Sequence, residues 1–188
     1  MSALAPDAIA ARVQAVFPNV IPFRSENGEP WLAVAPADLP GVAALLRNDA
    51  ALACDCLMDL TGWDLKGYPA VPPSDDIAVV LLLFSMAHRH RVQLEVRAPR
   101  AACEVPSVSG LWPAALYFER EVFDLFGVTF RGHPSLRRIM TPDDWVGHPL
   151  RKDYVYPSEY HGVAHLREGQ RFEGGPNRGS AGAAGGTA

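Results

Sequence analysis

Apolar residues recur at helical spacing over residues 7–17, DAIAARVQAVF, with Asp7 placed as an N-cap and Pro18 closing the segment. A short strand is expected from Trp31 to Ala35, and then a second helix over Asp38–Asn48. In that helix Asp38 is the cap and Leu39, Val42, Leu45 and Leu46 form one stripe. ALACDCLMDLTGW alternates as a strand should. Ile77 to Ala87 is apolar without interruption, the pattern of a central strand covered on both faces, and VQLEVRA from Val92 alternates cleanly. The polar HRHR between them suits a hairpin turn. Helix, strand, helix and then several strands predict an α+β domain, with helices packed on one mostly antiparallel, mixed sheet.

After Pro99 the pattern changes. Turn residues in VPSVSG lead into a periodic segment from Pro113 to Phe126 that stops at Gly127, where a left-handed residue ends a helix. Pro134, Pro142, Pro149 and Pro157 then exclude a long helix or a central strand. Residues 128–160 are therefore expected to be an extended ribbon that keeps its shape by lying on something else. The glycine- and alanine-rich residues 166–188 are expected to form a disordered tail, which leaves 1–165 as a single domain.

Composition narrows the function. A chain of 188 residues, 48% hydrophobic, supports one core. A net charge of −4 argues against a nucleic-acid binder, which needs a basic face. The longest apolar run is well short of the roughly 20 residues of a membrane-spanning helix. The N-terminus lacks the basic and apolar regions of a secretory signal, so a cytoplasmic protein is expected. Cys54, Cys56 and Cys103 are odd in number, which argues against structural disulfides.

The candidate chemistries fail one by one. On a helix Glu119 and Glu121 point roughly 200° apart, so they cannot serve one substrate as acid and base. Arg120 and Asp124 stand at i, i+4, the spacing of a solvated ion pair. CDC at 54–56 and HRH at 88–90 each offer only two ligands, with no second CxxC or HxxxH partner at a known metal spacing, and HGVAH at 161–165 lacks the glutamate of a zinc-protease helix. His133 and His148 each precede a proline, a setting more suited to hydrogen bonding than to metal binding. No GxGxxG, GxxxxGK[ST] or GxSxG is present. An interaction surface remains. Arg131, Arg137, Arg138, Arg151 and Lys152 interleave with Phe130, Leu136, Trp145 and Tyr154 along the ribbon, and arginine with aromatics is the composition of interface cores. The bland alternative is a basic loop that only covers the domain's own sheet.

Two stretches carry a resemblance. EREVFDLFGVTFRGHPSLRRI, Glu119 to Ile139, and GHPLRKDY, Gly147 to Tyr154, closely resemble the 30 kDa subunit family of respiratory complex I, the bacterial NADH:quinone oxidoreductase. The resemblance continues upstream through VPSVSGLWPAA and, more loosely, through the sheet from about residue 30. Tyr117 stands where the family usually has a tryptophan, and CDC is not a family feature. The resemblance implies a subunit of the hydrophilic arm, on the cytoplasmic side of the bacterial plasma membrane and tied to the membrane only through the complex. It also implies no cofactor in this chain and no catalytic residue; FMN, iron–sulfur clusters and quinone would belong to partner subunits. Glu119, Arg120, Glu121, Asp124, His133, Arg137, Arg138, His148, Arg151, Lys152 and Asp153 would then be structural and assembly residues. The ribbon would run across the quinone-reducing subunit and its cluster-bearing partner, with one of Arg137 and Arg138 joining Arg151 as its anchor. Equivalent subunits of membrane-bound hydrogenases, formate hydrogenlyases and reduced-deazaflavin dehydrogenases are the rival reading. A free-standing enzyme using His133 with Asp143 or Asp144 is the rival from another class.

Overall fold

The computed structural model describes residues 3–24, 30–68 and 74–164; the expected tail lies outside them. Helix α1 (Pro6–Gln14) opens with proline at its first position, where a missing N–H costs nothing, and Ala5 takes the N-cap. Asp7 therefore sits inside the first turn, near the positive end of the helix dipole, and is not the cap. In α2 (Leu39–Asn48) Asp38 holds the N-cap position but has helical dihedrals and makes no side-chain cap bond. The buried stripe is Leu39, Val42, Ala43 and Leu46, with Leu45 at its margin.

Five strands form one sheet: β1 (Ile21–Arg24), β2 (Pro30–Ala33), β3 (Cys56–Asp64), β4 (Ile77–Phe84) and β5 (Arg91–Ala98). Their order is β1-β2-β5-β4-β3, antiparallel except where β2 joins β5. The expected mixed, mostly antiparallel sheet is the one observed. β1 is an addition to the sequence reading, a four-residue edge strand in which Pro22 is tolerated because an edge needs fewer donors. β3 begins later than expected, because Asp49 Oδ1 accepts the N–H groups of Ala51 and Leu52 and folds 49–55 into turns.

One face of the sheet is fully apolar. Ile77, Val79, Leu81 and Leu83 of β4 align with Ala98, Val96, Leu94 and Val92 of β5, and all join Val13, Val42, Leu46, Val122 and Phe126 from the helices in one core. The alternate residues Val80, Leu82 and Phe84 are only half-buried, so β4 is not covered on both faces as its continuous hydrophobicity suggested. The expected hairpin turn joins β4 to β5. His88 and His90 flank Arg89, which takes φ 57°, and their rings stack 5.6 Å apart. Each donates through Nε2 to a carbonyl of the 50–52 turn, His88 to Ala50 (2.9 Å) and His90 to Leu52 (2.7 Å).

Strand β6 (Glu104–Pro106) leads to α3 (Ala115–Phe126), which packs against β3 and ends at Gly127 with φ 72°, the left-handed stop expected from the sequence. The ribbon is less irregular than its prolines suggested. It contains β7 (Thr129–Arg131), parallel to β6, and a small hairpin of β8 (Glu159–Tyr160) and β9 (Val163–Ala164).

Candidate subunit interface and its internal anchors

The two resembling stretches meet at the C-terminal end of α3. Asp124 is fully buried there, and its Oδ2 accepts the backbone N–H groups of Ile139 (3.0 Å), Met140 (2.7 Å) and Thr141 (2.8 Å). Its Oδ1 accepts from Arg138 (2.6 Å) and from the Thr141 hydroxyl. Burial alone would push this carboxyl up, but the bonds from Thr141, Ile139 and Arg138 outweigh it and hold the group well below the usual carboxylate range. Arg120 is not its partner. At i, i+4 the pair would be worth a few tenths of a kcal/mol; instead Arg120 donates to the carbonyls of Arg137 (3.1 Å) and Arg138 (2.9 Å). The expected solvated pair is replaced by two separate ties from helix to ribbon.

The helix end is closed by the second stretch. The carbonyls of a helix's last turn have no partner within the helix. Here His148 Nδ1 donates to Asp124 O (2.9 Å), Leu150 N–H to Leu125 O (3.0 Å), and Arg151 Nε to Phe126 O (2.6 Å), with Arg151 Nη2 near Gly127 O (3.3 Å). Burial, with Arg151 and Arg138 nearby, lowers the His148 pKa, which favours the neutral ring that this bond uses. A side chain at 127 would meet the His148 ring at 2.5 Å and Arg151 Nη2 at 2.7 Å, so glycine is required for space as well as for its dihedral. Arg151, expected to reach a partner, is thus a clasp within the chain.

Glu119 and Glu121 diverge as the helix geometry required: Glu119 is fully buried and Glu121 exposed. Glu119 accepts from Ser107 Oγ (2.6 Å) and Val108 N–H (2.7 Å), fixing the turn ahead of its own helix. Burial pushes its pKa up, partly offset by those two bonds. His133 bonds within the chain, with Nε2 donating to Leu116 O (3.1 Å) and Nδ1 accepting from Ser135 N–H (3.0 Å). It does not meet Asp143 or Asp144. The group that meets Asp144 is His161 (2.7 Å), together with the Tyr160 hydroxyl (2.6 Å).

A third tie was not legible in the sequence. Asp64, at the end of β3, is buried and accepts from the Arg100 guanidinium, from Lys66 N–H (2.9 Å) and from Lys152 N–H (2.8 Å). Arg100 also pairs with Asp153 (3.1 Å), and Lys152 Nζ donates to Lys66 O (2.7 Å). Lys152 and Asp153 lie in the GHPLRKDY motif, but nothing local to Asp64 or Arg100 marks them as its partners.

With these groups turned inward, the outer surface of the same region carries what is left. Arg137 is exposed beside the inward Arg138, and among the described residues its guanidinium has no partner. In the same stretch of chain Val146 is 83% exposed, Val155 78%, and Met140, Tyr156 and Leu150 about half or more. Tyr117 is 65% exposed on the outer side of α3, so no core packing rides on its substitution for tryptophan. Val146, Val155 and Pro157 also wall an open groove of about 430 Å³ that His148, Arg151 and Tyr154 floor. No group of three or more histidine, cysteine or acidic side chains among the described residues is arranged to hold a metal ion.

The sequence model of the respiratory-chain NADH dehydrogenase 30 kDa subunit matches residues 32–160. The chain belongs to that family. The C subunit of the NADH-quinone oxidoreductase of Roseiflexus castenholzii is 43% identical over 152 residues, 80% of this chain and 84% of the relative. The C/D subunit of the same enzyme from Gluconacetobacter diazotrophicus is 44% identical over 133 residues, 69% of this chain but 22% of that longer protein. Among solved structures, a trypsin-resistant fragment (1–134) of Nqo5 superposes with a TM-score of 0.59 at 28% identity, covering 69% of this chain and 98% of the fragment. The family's matched span contains every tie described above except the Asp144–His161 pair, whose histidine lies one residue beyond it.

Proposed function

We propose that this chain is a structural and assembly subunit in the peripheral arm of a proton-translocating NADH:quinone oxidoreductase. It takes no flavin, cluster or quinone itself and braces the subunits that do. The relatives are named for NADH and quinone, which favours this electron donor over hydrogen, formate or reduced deazaflavin. No helix among the described residues is long and apolar enough to cross a membrane, so attachment would come through the complex, on the cytoplasmic side of the plasma membrane.

One observation carries the reading: the ionisable side chains that could do chemistry are spent on internal ties, while exposed apolar side chains and the Arg137 guanidinium, without a partner among the described residues, are left outward. A monomer rarely exposes such a patch without a partner. The partner we assign is the quinone-reducing subunit, and the longer relative, whose name joins C and D in one protein, supports a close neighbour of that kind. The test is Arg137→Ala and Val155→Glu in the complex. Each should leave the isolated chain's stability within about 0.5 kcal/mol, as surface changes do, yet deplete assembled enzyme and its NADH:quinone reductase activity. Normal assembly and turnover in both variants would mean that the ribbon only covers its own domain.

A further inference from the structure

The sheet face opposite the helices holds a buried carboxylate at its centre. On β5 the even-numbered residues point into the core, so Glu95 points the other way, and it is 1% exposed. Its Oε1 pairs with Arg97, while Oε2 is buried with no donor. A buried acceptor left unpaired is costly, and more so when charged, so a partner for it is expected. The chain frames the spot with two indoles. Trp31 on β2 lies in the row of Gln93, and Trp63 on β3 in the row of Ala78 and Arg97. A line between them crosses β5 and β4 at Glu95 and Val80, and the two rings meet edge to face, centroids 6.3 Å apart. Val80, Leu82 and Phe84 on the same face are half-buried, and Thr61, paired with Val80, is exposed.

The geometry points to a second docking surface here, at which a lysine or arginine of a neighbouring protein subunit enters at the Trp31–Trp63 seam and donates to Glu95 Oε2. This rests on the reading of the chain as a subunit. The occupant follows from the chemistry. Indole faces attract cations, a charged donor bonds a carboxylate about twice as strongly as a neutral one, and an apolar surround keeps competing water away. Arg97 already serves Oε1, and among the described residues no other cation bonds Oε2, so the second cation is assigned to the partner. Half-buried apolar residues around a desolvated charged centre are the anatomy of a protein–protein hot spot.

Two cysteine probes test it in a Cys56→Ser background. Thr61→Cys reports this face and Val155→Cys the ribbon. In the isolated chain both should react with a maleimide, and in the assembled oxidoreductase both should react about ten-fold more slowly. Glu95→Gln should then raise by about ten-fold the fraction of the chain that a salt wash releases from the complex, in line with the loss of one partner of a buried charge pair. If Val155→Cys is protected and Thr61→Cys is not, the sheet face is free and this inference falls while the proposed function stands. If neither is protected, the proposed function falls. Protection of Thr61→Cys already in the isolated chain would mean that the chain covers the face itself. Unchanged release of Glu95→Gln would remove the carboxylate from the contact; either result overturns the inference.

Discussion

The sheet half and the ribbon half of this chain are held by different physics. Between β4, β5 and the helices the groups that meet are Leu81, Leu94, Val96 and Leu46, non-directional and replaceable by others of similar volume. Around α3 and residues 137–152 the groups that meet are a carboxylate, three guanidiniums, an imidazole and backbone groups, each bond directional and each partner buried or half-buried. The first kind of order degrades gradually with substitution. The second fails at single atoms, because an unpaired buried charge costs more than the pair contributed. It also fixes a surface that apolar packing could not, since a proline-broken ribbon has little hydrophobic area of its own to bury.

The largest effect expected is from Asp124→Ala, about 3–5 kcal/mol against the ribbon's attachment, because Arg138 and three N–H groups lose their acceptor. Amide exchange should show residues 137–152 opened while residues 77–98 stay protected. Leu94→Ala, about 2–5 kcal/mol, should lower protection of both halves together, since the ribbon rests on the sheet. If the two variants gave the same exchange pattern, the halves would be one cooperative unit and the contrast would be wrong.

Acid should separate the halves more gently. Asp124 and Asp64 both have folded pKa values below the ordinary one, so their contribution is full above about pH 3.9, the unfolded value, and is lost as pH falls through the lower folded values. His148 is also lowered, and its contribution starts to fall below about pH 6.5. Glu119, whose pKa is raised, runs the other way: its contribution is present at low pH and lost as pH rises through the folded value. Exchange protection of residues 137–152 should therefore fall before that of the sheet as pH drops from neutral. Simultaneous loss would break the comparison. The smallest effect is at Glu119 itself. Glu119→Ala should cost about 1–3 kcal/mol by stranding Val108 N–H, and Glu119→Gln, still able to accept from it, should cost less at neutral pH. Melting of the isolated chain ranks the two.

Much of the fold was legible because it is periodic. Gly127 marked the end of α3, the alternation of VQLEVRA marked β5, and the two motifs marked where the ties would gather. What escaped depends on atoms far apart in sequence. Helical spacing points from Asp124 to Arg120, four residues away, whereas the partner is Arg138, fourteen away, where no helical rule reaches. Arg137 and Arg138 do face opposite ways, as adjacent residues in extended chain must, but the internal bond of Arg151 was not legible, because its acceptor is a helix C-terminus one motif upstream. Asp64 and Arg100 lie in stretches that carry only strand and turn signals.

The bond from Lys152 N–H to Asp64 joins residues 88 positions apart, so its timing during synthesis differs from everything in the sheet. All five strands of the sheet are complete once residue 98 has emerged, whereas this closure must wait until more than fifty further residues have left the ribosome. Contacts of such separation form late because loop-closure entropy precedes any gain from them. A nascent or truncated chain would thus present a folded sheet trailing an undocked ribbon, and the groove lined by Val146 and Val155 would come into existence only well after the sheet.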